Sequence, residues 1–337
     1  MRRQRQSRSC RAIVAGALAL VLASSACDGT LDAGRDVPRG PLPVDGRNPV
    51  IIDSDGWSDN WMGEYAALLA NNGGPPLVGI IANSTRYWPN ATANAIGWMD
   101  LVTAGRDSGL HDLPGVTISA GPAMVRPANG QVDSTQANGS AGARLIVELS
   151  RQLSLPWRPV VVLGVAPLTN LADAYLLDPT VVDRVVVVAA LGSYAAPNGV
   201  MNGPNGDLDP WANWIVAQKF RYVQVSAYYD QLGDVTPAQV PSLPANPFGA
   251  RMAGKLPDLL DIPQASDQIT VLSVALPTFA VGVRRASPDT SVAFDAMQGP
   301  PLVPDDGGNV WIVTRIAAPL AASCLWQMLL DSRACGS

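Results

Sequence analysis

Seven short runs rich in Val and Ile recur along this chain. They occupy residues 49–53, 77–82, 115–119, 159–165, 184–190, 222–226 and 310–314. A strand with one wet face alternates apolar and polar residues. A strand that is apolar at every position is buried on both faces, as in a parallel sheet covered by helices. Residues 61–70, 91–103, 141–153 and 210–219 lie between the runs and have helical spacing. This alternation predicts an α/β fold: a doubly wound, mostly parallel central sheet with helices on both faces, in one domain over residues 48–337. Ligands of such sheets collect beyond the carboxyl ends of the strands, so polar residues just after each run are the first candidates for a site.

The N-terminus reads differently. Arg2, Arg3, Arg5 and Arg8 precede an apolar stretch over 12–23, then Ser24, Ser25, Ala26 and Cys27. The pattern is that of an export signal over residues 1–26. A cysteine directly after the small residues resembles a bacterial lipoprotein signal, in which Cys27 is lipidated; a secretory signal with an incidental cysteine is the alternative. Residues 27–47, rich in Gly, Pro and Asp, read as a flexible tether. No later stretch approaches 18 uninterrupted apolar residues. The expected location is therefore outside the bacterial cytoplasmic membrane, anchored to it or free in the periplasm. In such an oxidising compartment Cys324 and Cys335 could close a disulfide, or remain two thiols.

Charge narrows the chemistry. The 337 residues carry 23 bases, 28 acids and one histidine, His111; only Lys219 and Lys255 are lysines. Five of the arginines and none of the acids lie in residues 1–26, so the remainder carries 18 bases against 28 acids, a net charge of −10. That balance excludes binding to nucleic acid by phosphate neutralisation. A single histidine excludes His-rich metal sites and disfavours a Ser-His-Asp arrangement. His111, beside Asp112 and ahead of the third run, reads as a solvated turn residue. Carboxylates and amides are left to carry any chemistry.

Three carboxylates, Asp53, Asp55 and Asp59, fall within seven residues after the first run, around the turn-forming Gly56 and with no base among them. Such a group repels itself unless a cation binds or one member stays protonated. Hard oxygen ligands of this kind suit Ca²⁺ or Mg²⁺. The alternative is a plain turn in which Asp59 caps the next helix. Trp57 occupies what would be an EF-hand ligand position, which excludes that motif. Haloacid dehalogenase-like phosphatases also place D-x-D after a first strand, but they need a downstream lysine that neither Lys219 nor Lys255 supplies.

Four ordered motifs resemble the inosine-uridine-preferring nucleoside hydrolase family. Asp53, Asp55 and Asp59 match the first three acids of its D-T-D-P-G-x-D-D opening, and Asn60 replaces the fourth. Gly79-Ile-Ile-Ala-Asn83, then Asn94-Ala95, is similar to its second element. Ala166-Pro-Leu-Thr-Asn-Leu-Ala172 resembles its G-P-L-T-N-L-A turn, and Asn205 to Pro210 keeps the spacing of its E-F-N-x-x-x-D-P segment. The resemblance implies hydrolysis of the N-glycosidic bond of ribonucleosides, with Ca²⁺ holding the ribose diol and the attacking water.

By matched position, Asp55 would be metal ligand and general base. Asn60 and the Thr169 backbone carbonyl would be further ligands, and Asp53 would order the loop. Asp59, Asn83 and Asn205 would bind the ribosyl group, with Trp57 and Trp88 facing the ring. Trp61, Trp211 and Trp214 sit at helical spacing and read as core. Two departures weaken the metal site. Asn60 replaces a bidentate carboxylate, and Ala275-Leu276-Pro277 falls where the family's late His-Asp-Pro is expected, so Leu276 stands for an aspartate. Asp207 and Asp209 are the acids to inspect as substitutes, Asp209 reading first as structural. Two functions follow: an exported N-ribosyl hydrolase with a degenerate metal site, or a non-catalytic lipoprotein that binds a nucleoside, sugar or protein partner in the same cleft. Either leaves a homo-oligomer open.

Overall fold

In the computed structural model the structure describes residues 38, 40–55, 76–85, 89–119, 121–190, 204–225, 238–255, 265–295 and 301–330. All lie in one compact unit, Asp36–Ser337. The buried core runs from Leu42 to Leu329 and is contained wholly within that unit.

Among the described residues nine strands form one sheet: β1 (Val50–Ser54), β2 (Leu77–Ala82), β3 (Val116–Ile118), β4 (Val160–Val165), β5 (Val185–Ala190), β6 (Arg221–Val225), β7 (Ala280–Pro288), β8 (Leu302–Pro304) and β9 (Val310–Ile316). Their spatial order is β3-β2-β1-β4-β5-β6-β9-β7-β8. β7 pairs antiparallel with both of its neighbours, and every other pairing is parallel. Only β7 therefore runs against the rest. The expected mostly parallel, doubly wound sheet is what the chain forms.

The unbroken apolar runs follow from two covers. Alternate residues of β1, β4 and β5 (Ile52, Leu163, Val188) meet helices α1 (Ala91–Asp107), α6 (Pro247–Lys255), α7 (Ala265–Ala275) and α8 (Ala318–Leu330) through Trp98, Met252, Leu272 and Leu325. The other set (Ile51, Val162, Val187) meets α2 (Ala141–Leu153), α3 (Thr169–Leu177) and α5 (Pro210–Lys219) through Ile146, Leu171 and Ile215. A short helix, α4 (Pro204–Leu208), precedes α5. Trp211 and Trp214 are core residues, as their spacing suggested. The expected helix over 61–70 lies outside the described residues.

The tether reading changes at its end. Leu42 and Val44 are buried in the core, and Asp45 and Asn48 are buried beside them. Gly40 and Pro41 are exposed, although a Cβ on Gly40 would lie 3.1 Å from Pro277, and the chain is packed from Leu42 onward. Two apolar residues two apart in a Gly/Pro-rich stretch were too slight a signal against that composition.

Candidate functional site

β1 pairs with β2 on one side and β4 on the other. The chain order reverses direction across the sheet between β1 and β4, the topological switch point at which such sheets open a crevice beyond their carboxyl ends. Asp53 and Ser54 close β1, Asp55 follows it, Asn83 follows β2 and Ser119 follows β3. All five are buried.

Asp53 is the centre of an amide and hydroxyl network. Asn170 Nδ2 donates to both of its carboxylate oxygens at 3.1 Å, and Asn83 Nδ2 donates to Oδ1 at 3.3 Å. Asn170 is held in turn: its Oδ1 accepts from the Ser119 hydroxyl at 2.8 Å and the Ser140 hydroxyl at 3.0 Å. The Gly142 N–H donates to Ser119 Oγ at 3.0 Å. A side chain is excluded at Gly142, because its Cβ would stand 2.8 Å from the Asn170 amide. Ser140 also caps α2, accepting from the Ala143 N–H. Every strong donor and acceptor of the Asn170 side chain is thus directed, which fixes its plane and hence the carboxylate it faces.

The neighbouring turns are secured similarly. Asn94 Nδ2 donates to the Ser54 carbonyl at 2.9 Å, and Trp98 Nε1 donates to the Ser54 hydroxyl at 3.3 Å. Asp173, fully buried on α3, accepts the N–H groups of Asn138, Gly139 and Ser140 at 2.8, 3.0 and 2.7 Å, fixing the loop that leads into α2.

On the β4 side, Asn205 Nδ2 donates to the carbonyls of Val165 at 3.1 Å and Ala190 at 3.4 Å, straddling the ends of β4 and β5. Its Oδ1 is the side of the amide left for a ligand. Thr169 opens α3 and donates its hydroxyl to Asp209 Oδ2 at 2.7 Å. Asp209 also accepts the N–H of Met124 at 2.9 Å and, as N-cap of α5, that of Ala212 at 3.0 Å. Burial pushes its carboxyl up from the usual range, while the Thr169 hydroxyl and the two N–H groups pull it back. Asp209 is a structural hub, as its Asp-Pro setting suggested.

The structure thus gathers Asp53, Asp55, Asn83, Thr169 and Asn205 at the carboxyl ends of β1, β2, β4 and β5. Both polar ends of Asn83 are engaged within the protein, its Oδ1 by the Ser84 N–H at 2.8 Å, so it acts through Asp53. Trp57, Asp59, Asn60 and Trp88 lie outside the described residues, as do Cys27 and Cys335. Cys324, buried in α8, is disulfide-bonded. His111 is exposed, beside an Asp112 with φ +57°. Leu276 follows α7 and packs half-buried against the core. The sequence reading left Asn170, Ser119 and Ser140 without a role. Each had a signal: Ser119 directly follows a strand, Ser140 precedes a helical pattern, and Asn170 lies inside a quoted motif.

For a divalent cation the described donors are sparse. Among the described residues no three His, Cys, Asp or Glu side chains converge. The Asp53 oxygens accept amide hydrogen bonds, and Asp55 follows Asp53 at the strand end. The described set alone does not fit Ca²⁺, which takes six to eight oxygens.

No protein-family model and no curated protein sequence matches this chain. Solved structures do. The plant nucleoside hydrolase PpNRh1 superposes with TM-score 0.57 at 17% identity, over 85% of this chain and 99% of that one. The inosine-uridine preferring nucleoside hydrolase from Bacillus anthracis gives 0.57 at 14% identity, over 84% and 99%. The type III effector XopQ, solved with adenosine diphosphate ribose, gives 0.52 at 15%, over 89% and 94%. The chain has the nucleoside hydrolase fold across nearly the whole length of these proteins.

Proposed function

We propose that this chain is an exported hydrolase-like protein that takes an N-ribosyl compound in the crevice between β1 and β4 and cleaves its glycosidic bond. The observation that carries the reading is the locked Asp53 network, which holds Asp55 at the carboxyl end of β1 in a nucleoside hydrolase fold. Such preorganisation is what a site gains from spending buried amides and hydroxyls on one carboxylate.

In this reading Asp55 takes a proton from water as the water oxygen bonds to the anomeric carbon. The carbon–nitrogen bond breaks, and the departing base is protonated from solvent. The Asn205 Oδ1 accepts from a ribose hydroxyl, and the sequence resemblance assigns Asp59, Trp57 and Trp88 to the same ligand. Ca²⁺ would need Asp55, Asn60 and the Thr169 carbonyl together with further oxygen ligands; no step above depends on it. The N-terminal signal pattern and Cys27 support a location outside the cytoplasmic membrane on a lipid anchor.

The test is release of base or nitrophenolate from inosine, uridine and p-nitrophenyl riboside, each with added Ca²⁺ and with chelator. Turnover on at least one is expected. Calorimetric binding of a riboside without turnover would assign the crevice to recognition instead.

A further inference from the structure

The opposite end of the sheet carries a surface with a different chemistry. Just before β4 the chain makes a tight turn in which Leu155 and Arg158 exchange backbone hydrogen bonds at 3.0 and 2.9 Å. This turn pushes Pro156 and Trp157 outward. Leu155, Trp157 and Leu177, at the end of α3, are 39%, 42% and 38% exposed. The turn is firmly based: Asn48 Nδ2 donates to the Pro159 carbonyl at 2.8 Å, tying it to the start of β1.

Arginines are interleaved with these apolar residues. Arg158 lies 5.4 Å over the Trp157 ring and forms no salt bridge among the described residues. Arg151 and Arg184 share one carboxylate, Asp178, at 2.9 and 2.6 Å, while the neighbouring Asp183 is offset by Arg221, which leaves one positive charge in excess. The Arg151 side chain is 62% exposed. An otherwise acidic chain thus shows a tryptophan, two leucines and a surplus of guanidinium groups on one end.

We infer that this end docks on an anionic lipid bilayer. Tryptophan settles at the depth of lipid headgroups, with its apolar body in the acyl boundary and its N–H in the wet layer. Arginine beside it pairs with headgroup phosphates. The inference rests on the export reading for its setting. From Cys27 to Gly40, which lies against Pro277, the chain can reach roughly 45 Å at most. An anchored domain would therefore stay close enough for a weak contact to be occupied. β4 is six residues long, which puts the docking turn about 20 Å from the crevice at the other end of the same strand. The bound protein presents its site to the solvent.

The experiment uses residues 28–337, which hold the whole core and lack the anchor cysteine. It compares sedimentation with vesicles of phosphatidylglycerol and phosphatidylethanolamine against vesicles of phosphatidylcholine, at low and high salt. Binding to the anionic vesicles is expected, reduced at least fivefold by Leu155→Ser with Trp157→Ser, and by high salt. Brominated lipids are expected to quench the fluorescence that wild type has in excess of Trp157→Phe. Both side chains are exposed, so unchanged thermal unfolding confirms that the variants fold. Equal binding by wild type and the double variant, equal binding to neutral vesicles, or no binding overturns the inference. Incorporation of labelled palmitate at Cys27 in cells is scored separately, so the anchor reading and the docking face fail independently.

Discussion

Asp53 and Asp209 are both 1% exposed, both stand at the carboxyl end of the sheet, and both accept three or more hydrogen bonds. They differ in what donates. Asp209 is held by two backbone N–H groups and a hydroxyl, bonds that cap a helix and pin a loop. Asp53 is held by side-chain amides from β2's end and α3, which hydroxyls behind them orient in turn. The first arrangement stabilises the fold. The second sets the angle of one strand end beside a crevice.

The contrast can be broken by substitution. Asp209→Ala removes an N-cap and strands the Thr169 hydroxyl and Met124 N–H, so it is expected to cost about 3–5 kcal/mol of stability in urea unfolding. Turnover per folded molecule should stay near wild type. Asn170→Ala is expected to cost less stability, about 1–3 kcal/mol, yet to lower turnover on p-nitrophenyl riboside at least about tenfold. If the two variants lose stability and turnover in the same proportion, the distinction between scaffold and site is wrong. Gly142→Ala presses a methyl group onto the Asn170 amide and should reproduce the Asn170 phenotype in weaker form, at about 1–3 kcal/mol.

The smallest effect concerns acid. Burial would raise the Asp178 carboxyl, but hydrogen bonds from Thr180 and the Arg184 guanidinium outweigh it and hold it at about 2, below its ordinary 3.8. Its folded value is depressed, so its contribution is complete above pH 3.8 and is lost as pH falls through 2. Asp178→Asn should flatten that part of the stability profile by about 1 kcal/mol or less, since Arg151 is largely in water. Urea midpoints between pH 2 and 5 check it.

Much of the scaffold was legible because burial on both faces leaves an unbroken apolar run, as in 160–165 and 185–190. β7 was not, because its middle carries Gly282, Arg284 and Arg285 and it is the one reversed strand near the sheet's edge. α3 escaped because Thr169 to Tyr175 is buried on every side, which erases a helical stripe. The site was legible as residue types after strands. Its wiring was not: Asn170 and Asp53 are 117 positions apart, and nothing local to either names the other. Asn83 shows the cost, since the motif suggested a ligand contact and the fold uses both ends of its amide internally.

The central claim is that Asp55, held at the end of β1, activates water for cleavage of an N-ribosyl bond. The direct measurement is nitrophenolate release from p-nitrophenyl riboside by wild type and by Asp55→Asn, with circular dichroism to show that the variant is folded. The account predicts release by wild type and a fall of about 100-fold or more in the variant. Release that is unchanged in the folded variant, or absent from wild type at high enzyme concentration with and without Ca²⁺, would contradict it.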